Sequence, residues 1–335
     1  MMRILRSLLV AIVLGVLGVP VAGAADFQGK TITIFIGYGT GGSYYFYGQL
    51  LAHHFGRHLP GQPNLIVESS LGAGGVKMLN DAAVRMRTDG TNLFIPPDTT
   101  VVIQLLQPQG LAYDAAKFRY IGTLDQENTF WVLRRGPDAS IEGMRRRDTF
   151  MGSSGKGSTG YMIPALAGPL LDLKIKPIAG YTSSQDMILS MEKGETDGTL
   201  QAWQVWKQSR PDWFKPGGFG VPVLQIGAVA DPDAPPTPLL RDVVSADKKP
   251  LASLFDTIGI LGRSLAAPPG TAADMVALLR KAFEDMLRDP EFIAEAKQTK
   301  LRILPRSGED LQAAIEEALV TPSADVVRRG QELTQ

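Results

Sequence analysis

The hydrophobic pattern alternates between strand and helix periods from its first clear segment onward. Residues 30–36 (KTITIFI) are β-branched and apolar, Gly37-Tyr38-Gly39-Thr40-Gly41-Gly42 follows, and a helical pattern runs from about Ser43 to His58. This reads as strand, glycine turn and helix. The unit recurs: 64–68 (NLIVE) predicts a strand, Gly72-Ala73-Gly74-Gly75 a turn, and 76–86 a helix, before an Asp89-Gly90 turn and a strand at 91–95. Alternating elements of this kind predict a mainly parallel sheet with helices on its faces. From Phe118 the texture changes, with strands predicted at 120–124 and 129–133, a basic patch at Arg145–Arg147, and a new strand-turn-helix unit at 149–171 that opens a second α/β domain. Within it, 176–180 and 199–202 read as strands, 184–193 as a helix, and the proline-rich stretch 231–238 as a loop. A helix at 272–287 carries Met275, Leu278, Leu279, Phe283 and Met286 at helical spacing, with Thr271 as the expected N-cap, and a capped helix is expected at 307–318.

The N-terminus carries a different signal. Arg3 and Arg6 precede an apolar run from 7 to 21, and Ala22-Gly23-Ala24 forms a small-residue box. This is the pattern of a secretory signal peptide over 1–25, cleaved after Ala24 or Ala25, which places the mature chain in the periplasm. The apolar run is shorter than the roughly 20 residues of a spanning helix.

Composition narrows the chemistry. The 335 residues balance 34 Lys and Arg against 34 Asp and Glu, so losing the two leader arginines leaves a formal charge of −2. That offers no basic footprint for nucleic acid. With no cysteine, disulfides, thiolate metal sites and cysteine nucleophiles are excluded. The three histidines, His53, His54 and His58, fall in one segment. His54 and His58 share a helical spacing but have no acidic neighbour in sequence, so a solvated helix face is favoured over a metal site. Ser153 or Ser154 as a nucleophile would lack a base nearby.

Gly37-x-Gly39-x-x-Gly42, with Glu68 ending the next strand, has the outline of a dinucleotide fingerprint. An exported chain and the aromatic run Tyr44, Tyr45, Phe46 and Tyr47 at the helix start argue against it, and no cofactor is expected. More generally, a glycine turn leaves backbone N–H groups at a helix N-terminus open to an anion, and a carboxylate suits them as well as a phosphate. Gly152-Ser153-Ser154-Gly155-Lys156-Gly157-Ser158 supplies a second such turn in the other domain; it is no Walker loop, because Gly157 follows Lys156. One turn per domain suggests a cleft gripping an anion from both sides. The aromatic run must divide between core and pocket, and core packing is favoured for Trp203 and Trp206.

In their order and spacing these motifs resemble the Bug receptors, the periplasmic substrate-binding proteins of tripartite tricarboxylate transporters. The residues that carry the resemblance are 35–52, Pro60-Gly61-Gln62-Pro63, Gly72–Gly75, Thr88-Asp89-Gly90, Ser154–Ser158, Tyr181, Gly194-Glu195-Thr196-Asp197 and Ala267-Pro268-Pro269-Gly270-Thr271. The resemblance implies an α/β, two-domain periplasmic-binding-protein (Venus flytrap) fold, with 26–123 and 255–335 forming one domain and 124–254 the other. It implies a small carboxylate held in the interdomain cleft and delivered to membrane permease subunits, by a monomer without catalysis. The expected ligand residues are Gly41, Gly42, Ser43, Tyr44 and Tyr45 on one side, and Ser154, Gly155, Gly157 and Ser158 on the other, with Tyr181, Thr182 and Asp197 in support. Where the family often carries an aspartate and then an arginine four positions on, this chain has Tyr45 and Gln49. A less polar acid, aromatic or monocarboxylic and packed on Tyr44 or Tyr45, is therefore expected. A receptor signalling to a membrane sensor is the alternative, with a dinucleotide enzyme behind it.

Overall fold

The computed structural model describes residues 26–126 and 128–334, so the expected signal peptide at 1–25 lies outside the described residues. Among the described residues eleven strands form two sheets. The first has the order β11-β4-β10-β3-β1-β2 and comprises β1 (Thr31–Ile36), β2 (Asn64–Ser69), β3 (Asn92–Ile95), β4 (Arg119–Thr123), β10 (Ser264–Ala267) and β11 (Arg306–Ser307). The second, ordered β7-β6-β8-β5-β9, comprises β5 (Thr129–Arg134), β6 (Thr149–Ser153), β7 (Ile175–Ala179), β8 (Gly198–Ala202) and β9 (Gly220–Ile226). The chain thus crosses between the sheets after β4 and again between β9 and β10.

Both sheets are mixed, where the sequence pattern predicted mainly parallel ones. The pairs β1–β2, β1–β3, β6–β7 and β6–β8 are parallel, built by strand-turn-helix units. By contrast, β10 runs antiparallel to β3 and β4, and β5 antiparallel to β8 and β9. Both β10 and β5 enter their sheets after the chain has crossed over, so no helical crossover imposes a parallel direction on them.

The helices that frame the space between the sheets are α1 (Ser43–His54), α2 (Val76–Val84), α3 (Thr100–Leu106), α4 (Ile141–Arg146), α5 (Thr159–Leu171), α6 (Ser184–Lys193) and α7 (Trp203–Ser209). The expected continuation of α1 to His58 tightens into a 3₁₀ turn at Phe55–His58. There Gly56 packs so closely that a Cβ would lie 2.4 Å from the Pro63 carbonyl oxygen. The helix Ala273–Leu287 begins at Ala272 without a side-chain cap; the Thr271 hydroxyl instead donates to the Pro268 carbonyl at 2.9 Å, closing the Pro-Pro-Gly turn. Ser307 does cap the helix Gly308–Val320, accepting from the Asp310 N–H at 3.1 Å.

The histidine segment is not a solvated face. The helix Pro290–Gln298 lies against α1, and its Glu295 meets His53 Nδ1 at 2.9 Å and His54 Nε2 at 2.8 Å, while Asp289 meets His58 Nε2 at 3.1 Å. His54 is buried. Its acidic partner is more than two hundred residues away in sequence, which is why the local pattern did not contain it. Trp203 and Trp206 pack with Phe130 and Trp213 in a core cluster beside the second sheet. The C-terminal helix Ala324–Leu333 sets Val326 and Leu333 on the core of the second sheet while Gln331 Nε2 donates to the Leu105 carbonyl at 2.8 Å, so it touches both halves. Among the described residues no helix is long and apolar enough to cross a membrane.

Candidate ligand-binding cleft

In a sheet of strand-turn-helix units the carboxyl ends of parallel strands and the N-termini of the following helices collect at one edge. Here the two sheets turn those edges toward each other. The Gly37–Gly42 turn leaves β1 and starts α1, the loop after β3 carries Asp98, the Ser154–Ser158 loop leaves β6 and starts α5, and the loop after β7 starts α6. The cavity between them leaves about 50 Å³ for the centres of water-sized groups. At roughly 10–15 Å³ per water centre this is a small space, matched to a few waters or a short ligand.

Three helix N-termini converge on this cavity. Gly42 precedes α1 and Ser158 precedes α5, and neither helix has a side-chain cap. The backbone N–H groups of Ser43, Thr159, Gly160 and Ser184 have no protein acceptor among the described residues. Unsatisfied N–H groups aligned with a helix dipole attract negative charge. The α6 terminus differs in being self-capped: Ser183 Oγ accepts from the Asp186 N–H, and the Asp186 carboxylate accepts from Ser183 N at 3.0 Å and Thr182 Oγ1 at 2.7 Å. Those bonds hold the Asp186 carboxyl below the usual aspartate range.

The two sides already touch. Gly39 N donates to the Thr182 carbonyl at 3.0 Å, Gly157 N to the Ala73 carbonyl at 3.2 Å, and Thr99 Oγ1 to the Gly157 carbonyl at 2.7 Å. Gly41 must be glycine at φ +89°, and a Cβ on Gly42 would sit 3.2 Å from Ser184 Oγ. This is a closed arrangement, made possible where backbone meets backbone.

Of the residues singled out from sequence, Gly42, Ser43, Tyr44, Ser154, Ser158 and Thr182 line the cavity. Gly41 lies at its border beside Gln185. Gly155 and Gly157 serve the contact between the halves instead: a Cβ on Gly155 would lie 2.8 Å from Gly74 N, and one on Gly157 2.5 Å from Ala73 O. Tyr45 packs against the first core, and Tyr181 lies beside Gly152 rather than along the cavity. Asp197 sits before β8, at the end of the strand opposite the cavity-lining Leu200, Gln201 and Ala202. Its carboxylate accepts from Arg147 Nη1 and Nη2, each at 3.1 Å, and from Phe150 N at 2.9 Å. Burial raises its pKa, but those donors outweigh burial and hold the carboxyl below the usual aspartate range.

Two charged residues of the cavity had no sequence signal. Arg263 is 3% exposed and precedes β10. Because β10 is antiparallel to β3, its beginning lies beside the end of β3, which delivers the guanidinium to the ligand edge. Arg263 Nε and Nη2 both donate to Ser43 Oγ, at 3.1 and 2.8 Å, and Nη1 lies 4.0 Å from the Asp98 carboxylate. The guanidinium also covers the Tyr44 ring at 4.2 Å, and the Tyr38 ring lies 4.5 Å from the same ring. The Tyr44 ring thus lies against both the Arg263 guanidinium and the Tyr38 ring while still lining the cavity, which Tyr45 does not.

Asp98 is buried and accepts from Thr159 Oγ1, across the cleft, at 2.6 Å. Burial pushes its pKa up, while Arg263, Thr159, the Thr99 N–H and Tyr44 pull the other way without cancelling it. Burial likewise keeps the Tyr38 phenol protonated, and it donates to the Gly74 carbonyl at 3.1 Å. Ser43 has the most defined polarity. A serine oxygen offers two lone pairs and one proton. Both lone pairs are taken by Arg263, so the hydroxyl has only a donor left to give.

No protein-family model matches the sequence, and no curated protein matches it either. Solved structures do match. A periplasmic transporter structure is 19% identical, with a TM-score of 0.70 over 92% of this chain and 100% of that one. MatC (Rpa3494) from Rhodopseudomonas palustris with bound malate is 18% identical, TM-score 0.67, covering 91% of this chain and 99% of that one. The periplasmic binding protein BugD is 17% identical, TM-score 0.67, covering 90% and 97% respectively. Over nearly its whole described length, this chain has the two-sheet α/β fold of these periplasmic proteins.

Proposed function

We propose that this chain is an extracytoplasmic solute-binding protein that captures a small carboxylate between its two halves and delivers it to membrane permease subunits, without catalysis. The observation that carries this reading is the convergence of the α1, α5 and α6 N-termini on one cavity, with the Ser43 hydroxyl committed to donation. Such a site binds an anion and offers no leaving-group chemistry. Ser153 ends β6 and Ser154 follows it in the loop, while His53 and His54 pair with Glu295 of the helix Pro290–Gln298 and His58 with Asp289 at its N-cap. The fold likeness to proteins crystallised with malate and, for R. palustris Rpa4515, with adipate supports the ligand class.

The two halves are taken as 26–123 with 255–335, and 124–254, joined by the crossings after β4 and after β9. Hinge motion about these crossings opens and closes the cleft, and the closed form is the one a permease reads. The protein works as a monomer in the periplasm, after removal of a signal peptide at Ala24 or Ala25.

Native mass spectrometry of the purified mature protein, before and after unfolding and refolding, tests this directly. A small acid that is lost on unfolding, or stabilisation by acids in a thermal-shift screen of the refolded protein, is expected. A bound nucleotide, or turnover of an ester, would replace the reading with an enzyme.

A further inference from the structure

The cleft's charge inventory limits what it can hold. The charged side chains lining it, among the described residues, are Arg263 and Asp98. Each helix N-terminus contributes about half a positive charge. The α6 terminus is offset by its own Asp186, and the first turns of α1 and α5 contain no acidic residue. The α5 terminus, however, receives the Asp98 carboxylate from the other half, through Thr159 at its first position. Asp98 is thus a carboxylate that the protein supplies to its own anion site. Asp186 and Asp98 thus offset the half-charges of two of the three termini, and the α1 terminus keeps its own.

We propose that the cleft selects monoanions: a single ligand carboxylate sits at the α1 N-terminus on the Ser43 N–H and hydroxyl, and Asp98 excludes a second carboxylate from the α5 side. This rests on the carboxylate-binding reading above and adds the ligand's charge and the residue that sets it. The remainder of the ligand is uncharged and meets Met187, Leu200 and Ala202 on the far wall. Ser43 is the donor that positions the ligand, Arg263 fixes that donor's polarity, and Asp98 acts by repulsion. Rejection by an unpaired like charge is a recognised source of specificity. In a buried space such a charge is screened little by salt.

The experiment uses matched acids that differ by one carboxylate: butyrate against succinate, and hexanoate against adipate. Their affinities for the refolded mature protein are measured by calorimetry at pH 7.5. The monoacid of each pair is expected to bind at least tenfold tighter. In Asp98→Asn that ratio is expected to fall by about tenfold or more through a gain in diacid affinity. Tighter binding of the diacids to the unaltered protein would overturn the selection while leaving the carboxylate reading intact. So would an unchanged ratio in a folded Asp98→Asn. Binding of neither class would overturn both. The ratio in the unaltered protein tests the selection even where the substitution impairs folding.

Discussion

Gly157→Ala separates closure of the cleft from its chemistry. Gly157 lies in the loop before α5, its backbone is not in the left-handed region, and an added methyl is locally tolerable. Across the cleft it is not: the new Cβ would lie 2.5 Å from the Ala73 carbonyl oxygen, 2.5 Å from Val76 Cγ2 and 3.2 Å from Ile103 Cδ1. All three belong to the first-sheet half. Relief requires the halves to part, which strains the Gly157 N–H bond to Ala73 and the Thr99 hydroxyl bond to Gly157. Two hydrogen bonds are worth about 1 kcal/mol each, and overpacking costs about 1–3 kcal/mol. If part of this is relieved by adjustment, the closed form loses about 2–4 kcal/mol relative to the open one. Since ligand binds the closed form, apparent affinity falls roughly 30- to 700-fold at about 1.4 kcal/mol per decade. Calorimetry with the tightest acid of the panel gives the affinity, and small-angle scattering at saturating acid gives the compaction. Gly136→Ala serves as the control, because a Cβ there meets nothing within 4 Å. A Gly157→Ala protein that binds within threefold of the parent and compacts equally would refute the closed-contact reasoning.

Ser43→Ala removes the hydroxyl donor and withdraws the acceptor shared by two Arg263 donors; binding of every acid should weaken about tenfold or more, with about 1–2 kcal/mol lost in urea unfolding. Asp197→Asn should leave ligand affinity unchanged but lower stability at neutral pH. The Asp197 pKa is depressed in the fold, so its contribution is full above the ordinary aspartate range and is lost as pH falls through the lowered value; the parent and variant melting curves should converge in acid. Glu295→Gln disturbs the His53 and His54 pairs that dock the helix Pro290–Gln298 on α1 and should cost about 1 kcal/mol, read by chemical denaturation. Intact-mass analysis of the exported protein should place its first residue at Ala25 or Asp26.

The local elements were written plainly in the chain. A β-branched run, a glycine turn and an apolar helical period specify β1 and α1 whatever surrounds them, and the capping residues of α6 and the helix Gly308–Val320 stand where they act. The glycine turns marked one edge of each half as receptive to an anion, because backbone N–H exposure at a helix start is a local property. Thr271 failed as a cap because the helix starts one residue later, with Ala272 at the N-cap position.

What the tertiary structure alone decided is which distant groups meet. The direction of β10 brings Arg263 to Ser43 across 220 residues, and the closing of the halves brings Asp98 to Thr159. The same long-range packing gives His54 its carboxylate and turns Gly155 and Gly157 from ligand residues into contact residues. Periodicity reports the face a residue turns toward its own neighbours, and those neighbours set the elements. The charge of the cleft is the sum of groups from both halves, and only the fold performs that sum.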